Sequence, residues 1–270
     1  MKIKKIVAAT ALAAASFTTV APANAAIIQL GFIIDDSGSI GSGNYNIIKA
    51  GLANAINNYI PIGGTDTYEI SVVAFSTNAT VVVNRVEIID ADDKTAVVSA
   101  INADPYDGAW TNYEAAFALM RTTLFPASTT STAAFSYVNF ATDGNATASS
   151  AGNTTGACTN CDGEPDAIIE RNALIAAGVD NLSIEAIGSG IDSAFLQNQI
   201  CSPAPCDTTS PYNFPTQGFY ISVANAQAYA DAIAYKIRVV TQQVPEPGAL
   251  ALLGIGLMGL AAARRRKQAA

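Results

Sequence analysis

The stretch Ile33-Ile34-Asp35-Asp36-Ser37-Gly38-Ser39 closes an apolar run that begins at Ile27. A run apolar on both faces predicts a central strand of a covered, mostly parallel sheet. Its abrupt end in carboxylates, hydroxyls and a glycine suits the C-terminal end of such a strand, where α/β proteins open a crevice for ligands. Asp35, Ser37 and Ser39 alternate along the loop, and Gly38 lets the backbone turn tightly. Three oxygens aimed at one point suit a hard divalent cation: Mg²⁺, Ca²⁺ or Mn²⁺. Short Asp/Ser/Gly strings are also ordinary turn chemistry, so ligands from elsewhere in the chain must decide between the two.

Two later loops offer them. Trp110-Thr111-Asn112-Tyr113 opens a predicted helix whose inner face is Tyr113, Phe117, Met120 and Leu124, with Thr111 at the N-cap position. Phe135 to Ala141 reads as another buried strand, and it ends in Thr142-Asp143-Gly144. Taken in order, the three loops resemble the Asp-x-Ser-x-Ser, Gly-Gly-Thr-Asn-Thr and Thr-Asp-Gly loops of the von Willebrand factor type A domain, which carries a metal-ion-dependent adhesion site. Ala109-Trp110 stands where that family has its glycine pair, and Tyr113 where it has its second threonine. The resemblance implies that Asp35, Ser37, Ser39, Thr111 and Asp143 hold one divalent cation, with one coordination position left open for an acidic group of a partner. Thr111 can equally serve as a plain helix cap. Asp36, in the variable position, reads as a solvent-facing or supporting carboxylate.

Outward from these loops the periodicities alternate. Helices are predicted at about residues 44–60, 92–102, 165–177 and 225–242, and strands at 68–75, 79–88, 181–187 and 219–223. A helix starting at Phe195 is cut short after Ile200. Only Ser76-Thr77-Asn78 separates the second and third strands, which implies a hairpin. The predicted fold is α/β: a doubly wound, mostly parallel sheet with one antiparallel edge strand, Rossmann-like and of the von Willebrand factor type A kind. The resemblance covers about Ile27 to Val240.

The chain holds 14 basic and 22 acidic residues and no histidine. The missing imidazole excludes Ser-His-Asp and Cys-His catalysis and any zinc site that needs it. Seven of the cations lie at the two ends, so residues 26–243 carry 7 basic against 21 acidic residues, a net charge near −14. Such a body repels nucleic acid and attracts divalent cations and basic partners.

Both ends read as processing segments. Lys2, Lys4 and Lys5, the apolar stretch Ile6 to Ala15 and Ala23-Asn24-Ala25 form a secretory signal peptide over residues 1–25. The middle, 26–243, is one domain. In 244–270, Val244-Pro245-Glu246-Pro247 precedes sixteen small or apolar residues and Arg264-Arg265-Arg266-Lys267. As a helix that apolar stretch is about 24 Å long, just short of a bilayer core. The order resembles the PEP-CTERM sorting signal of Gram-negative bacteria. That resemblance implies a transient stay in the inner membrane through a short transmembrane helix, processing by an exosortase-type enzyme, and delivery to the cell surface or an exopolysaccharide matrix.

Export places the cysteines in an oxidising compartment. Cys158/Cys161 and Cys201/Cys206 are close pairs, and two local disulfides are expected; crossed pairing and a four-cysteine zinc site are the alternatives. For the chain as a whole, the expected function is non-enzymatic: divalent-metal-dependent adhesion to a carboxylate-bearing partner. A structural matrix component with a purely structural ion and a metal-dependent phosphatase-type hydrolase are the alternatives. Against the hydrolase, the loops lack an Asp-x-Asp nucleophile pattern, a Gly-Lys-Ser/Thr phosphate loop and any nearby His or Lys base.

Overall fold

A computed structural model describes residues 26–64, 66–127, 133–149 and 163–243. The predicted signal peptide, the Cys158/Cys161 pair and the tail from residue 244 lie outside the described residues. Six strands form one sheet in the order β3-β2-β1-β4-β5-β6. They are β1 (Ile27–Asp35), β2 (Thr67–Phe75), β3 (Ala79–Ile88), β4 (Phe135–Thr142), β5 (Asn181–Ile187) and β6 (Tyr220–Val223). All neighbours run parallel except β2 and β3, the expected hairpin at the edge.

β1 sits second to none in burial: every residue from Ile28 to Asp35 is buried. Its side chains alternate between two cores, as a strand's period of two requires. Ile28, Leu30, Phe32 and Ile34 face one layer, built from α1 (Ser42–Tyr59), α2 (Ala91–Ala103) and α6 (Ala226–Gln243). Their partners there include Tyr45, Ile48, Leu52, Tyr229, Ile233 and Ile237. Ile33 faces the other layer, where α3 (Tyr113–Leu124) and α4 (Glu164–Ala177) supply Tyr113, Phe117, Met120, Leu124 and Leu174. At Gly31 a Cβ would lie 2.9 Å from the Met120 sulfur, so the missing side chain is what lets α3 settle onto β1.

The helix predicted from Phe195 is a single turn, α5 (Ser193–Phe195), running into a wider π turn over Leu196–Ile200. A disulfide between Cys201 and Cys206 follows it. That local bridge rules out crossed pairing for these two thiols and removes them from any four-cysteine zinc site. Among the described residues no helix is long and apolar enough to cross a membrane.

Register delivers the loops of Asp35 and Asp143 to one end of the sheet. Asp35 pairs with Phe75 at the end of β2, and Ile34 with Ala141 near the end of β4. Parallel neighbours end side by side, so the loops leaving β1 and β4 emerge next to each other.

Candidate metal centre

Asp35 is the last residue of β1 and is 1% exposed. Its carboxylate is held at both oxygens. The Ser37 N–H donates to Oδ1 at 2.8 Å, and the Thr142 hydroxyl, from the end of β4, donates to Oδ2 at 2.6 Å. The Ser37 and Ser39 hydroxyls lie 3.2 Å apart. Ser39 in turn donates to Asp143 Oδ1 at 2.6 Å.

Thr111 arrives from the third loop. Its N–H donates to the Thr147 hydroxyl at 3.1 Å, and its carbonyl accepts from the Thr147 and Ala148 amides. Gly144 marks its distance from the rest: a Cβ built there would lie 3.5 Å from Ser39 Oγ and 3.7 Å from Thr111 Oγ1. All five residues therefore meet around one point. The cap of α3 is Asn112, whose side chain accepts from the Ala115 amide at 3.1 Å, and not Thr111 as its position suggested. Capping is thus done next door, and the Thr111 hydroxyl makes no hydrogen bond among the described residues.

The loops are tied to each other by backbone. Gly38 N–H donates to Ala109 O at 2.8 Å and Gly108 N–H to Asp36 O at 2.9 Å. The Tyr106 hydroxyl donates to Ser37 O at 3.1 Å. Beneath the site the Tyr113 hydroxyl bonds the Thr142 hydroxyl at 3.1 Å and the Gly144 carbonyl. The sequence marks Tyr113 as an inner-face residue standing where the family has its second threonine, and Thr142 as a loop residue, but not the bond between them. The signal that could have exposed their role is that a buried phenol needs a polar partner.

Burial pushes the Asp35 carboxyl up to about 6, with the charge of Asp143 adding to it against the lowering hydrogen bonds. Burial likewise raises Asp143. No basic side chain among the described residues relieves either one. Of the two readings of Asp36, solvent-facing or supporting, its 5% exposure removes the first.

Two carboxylates and three hydroxyls, crowded together without a counter-charge, fit a hard divalent cation, which takes oxygen donors and would offset the buried negative charge. Among the described residues no group of three or more His, Cys, Asp or Glu side chains is placed to hold an ion. Hydroxyls must therefore complete any ligand set here.

Residues 29–205 match the von Willebrand factor type A domain. The chain belongs to this family. A second match, to the PEP-CTERM protein-sorting motif, covers residues 243–267 and implies an exported protein of a Gram-negative bacterium, destined for the cell surface or matrix. No curated protein matches the chain. Solved structures share the type A fold at low identity. Proximal thread matrix protein 1 from the mussel byssus, also solved with a zinc-occupied MIDAS motif, is 17% identical with a TM-score of 0.57 over 79% of this chain and 48% of that one. The pilus adhesin SpaC from Lactobacillus rhamnosus GG is 15% identical, with a TM-score of 0.54 over 80% of this chain and 31% of its own. The PilB minor pilin of Streptococcus sanguinis, as its D319A mutant, is 14% identical, with a TM-score of 0.56 over 81% of this chain and 62% of its own. The chain thus spans about half the length of the first of these relatives, or less, and the type A fold is what they share with it.

Proposed function

We propose that this type A domain is an exported, surface- or matrix-associated adhesion module without catalytic activity. In this reading a divalent cation, Mg²⁺ above Ca²⁺ or Mn²⁺, is held by Asp35, Ser37, Ser39, Thr111 and Asp143. A carboxylate of a partner completes its shell. The observation that carries the reading is the Ser39–Asp143 contact at 2.6 Å beside the unspent Thr111 hydroxyl: three loops from distant parts of the chain place oxygen donors around one point. A divalent ion beside two aspartates keeps enough positive character to attract a third carboxylate. The five side chains bind and orient; the ion supplies the Lewis acidity.

The chain's other features agree with that setting. The sorting motif supports release by an exosortase-type enzyme after a transient stay in the inner membrane, and an exopolysaccharide matrix is a candidate surrounding. A pilus adhesin among the structural neighbours agrees with an adhesive role. The test is capture of partners from the producer's extracellular material by immobilised protein. Capture should be lost in chelator and in Asp143→Ala, and restored to the wild type by Mg²⁺. Capture that persists undiminished in chelator would remove the mechanism.

A further inference from the structure

Asn139 on β4, Glu185 on β5 and Lys236 on α6 are 4%, 0% and 4% exposed, and none belongs to the proposed metal site. Asn139 shares the face of Tyr137 and Ala141, which α6 covers. β5 runs parallel beside it, with Glu185 paired to Ala141, so amide and carboxyl stand on one face of neighbouring strands. The Lys236 ammonium reaches both. It pairs with Glu185 Oε1 at 2.8 Å and donates to Asn139 Oδ1. The Asn139 side chain is also close enough to Glu185 to pull its carboxyl down. The Phe219 ring lies over the ammonium, 4.6 Å away at its centroid.

Buried polar groups normally complete their hydrogen bonds. Here Asn139 Nδ2 and both Glu185 oxygens are cut off from solvent and complete none among the described residues. Burial also disfavours the charges: it lowers the Lys236 ammonium and raises the Glu185 carboxyl. Passing the proton from one to the other leaves a neutral amine and a carboxylic acid. A desolvated lysine amine is a nucleophile, and a carboxylic acid can protonate an amide oxygen. Contact fixed by the fold spares the amine and the amide the cost of meeting.

We propose that Lys236 and Asn139 join in an isopeptide bond, with Glu185 carrying the protons. Lys236 Nζ attacks Asn139 Cγ while Glu185 protonates the amide oxygen. Glu185 then takes the proton that Nζ sheds and passes it to Nδ2. The Cγ–Nδ2 bond breaks, the carbonyl re-forms as its proton returns to Glu185, and ammonia leaves. An amine and a primary amide become a secondary amide and ammonia, with no redox change. A cavity of about 20 Å³ lined by Asn139 and Lys236 has room for one molecule of that size. The step is a single self-modification without turnover. The buried ion pair is the chain before reaction, and its energetics belong to that state. The bond would fasten α6, the last described helix, to β4, the strand that leads into Asp143. A load on α6 could then not peel it from the sheet. The bond does not rest on the adhesion reading.

The test is mass spectrometry of the purified full-length chain, folded and incubated at neutral pH, then reduced and digested. The bond predicts an intact mass lower by one ammonia and a branched peptide in which the Asn139 segment is joined at Lys236. Both should be lost in Asn139→Ala and in Glu185→Gln, which keeps the side-chain shape and removes the proton carrier. The wild-type digest decides the matter even if neither variant folds. Asn139 and Lys236 found only in separate linear peptides would overturn the bond. A branched peptide that forms as fast in Glu185→Gln as in the wild type would overturn the part given to Glu185.

Discussion

The Ser39 hydroxyl donates to Asp143 Oδ1 at 2.6 Å, although 104 positions separate the two residues. The contact exists because β1 and β4 are parallel neighbours that end together. Neither loop could build the site alone. Rigid strands, buried on both faces, aim the oxygens.

Thr142 is the first place to test that support. Its hydroxyl donates to Asp35 Oδ2 and is itself met by Tyr113. Thr142→Val keeps the shape and removes the donor. The ion-free protein should lose about 1–3 kcal/mol, the usual cost of leaving a buried polar group unsatisfied. Mg²⁺ affinity should fall about 10–100-fold, as for other partners that orient a ligand from behind. Urea unfolding in chelator and a Mg²⁺ titration check the two effects; unchanged affinity would mean that Asp35 needs no brace.

Gly51 offers a prediction whose sign opposes helix propensity. On an isolated helix Gly→Ala gains about 1 kcal/mol. Here a Cβ would lie 2.5 Å from the Ala230 Cβ, because α1 and α6 pack almost backbone to backbone. Gly51→Ala should therefore destabilise by about 1–3 kcal/mol, the cost of overpacking. A lowered thermal midpoint is expected, and a raised one would show that the two helices can part freely.

The ion pair between Lys236 on α6 and Glu185 on β5 spans 2.8 Å with both side chains buried. Burial raises the Glu185 carboxyl and lowers the Lys236 ammonium, each against the other's charge. Lys236→Met should cost about 3–5 kcal/mol by leaving Glu185 buried alone, and adding Glu185→Leu should recover most of it. The single variant should also respond to pH. With its folded value raised above its unfolded one, Glu185 binds more protons in the folded state. Stability is then highest at low pH and falls as pH rises through the folded value. Denaturant melts across pH check this; a flat profile would contradict it.

Much of the architecture was readable from residue patterns, and the exceptions have physical causes. The apolar run from Ile27 and its polar end located β1 and the first loop, because a strand covered on both sides has no polar positions to spare. Thr111 was ambiguous: a threonine ahead of a helix serves equally as cap or ligand. Only the coordinates show Asn112 taking the cap. Asp36 stayed open between solvent-facing and supporting because nothing local reveals that its backbone is tied to Phe75 and Gly108, from two other parts of the chain. The same holds for Glu185 and Lys236, which sit 51 positions apart and meet only once β5 and α6 pack together. Tertiary neighbours decide such residues, and spacing along the chain carries no trace of them.

The measurement that bears most directly on the adhesion site is calorimetric titration of the exported protein with Mg²⁺, comparing the wild type with Asp35→Asn and Asp143→Ala. If three loops cage one ion, each variant binds one Mg²⁺ fewer than the wild type while keeping its far-ultraviolet circular dichroism. If both variants take up Mg²⁺ with the wild-type stoichiometry and affinity, the oxygens gathered around Asp35 and Asp143 are not an ion site, and the metal-dependent account fails.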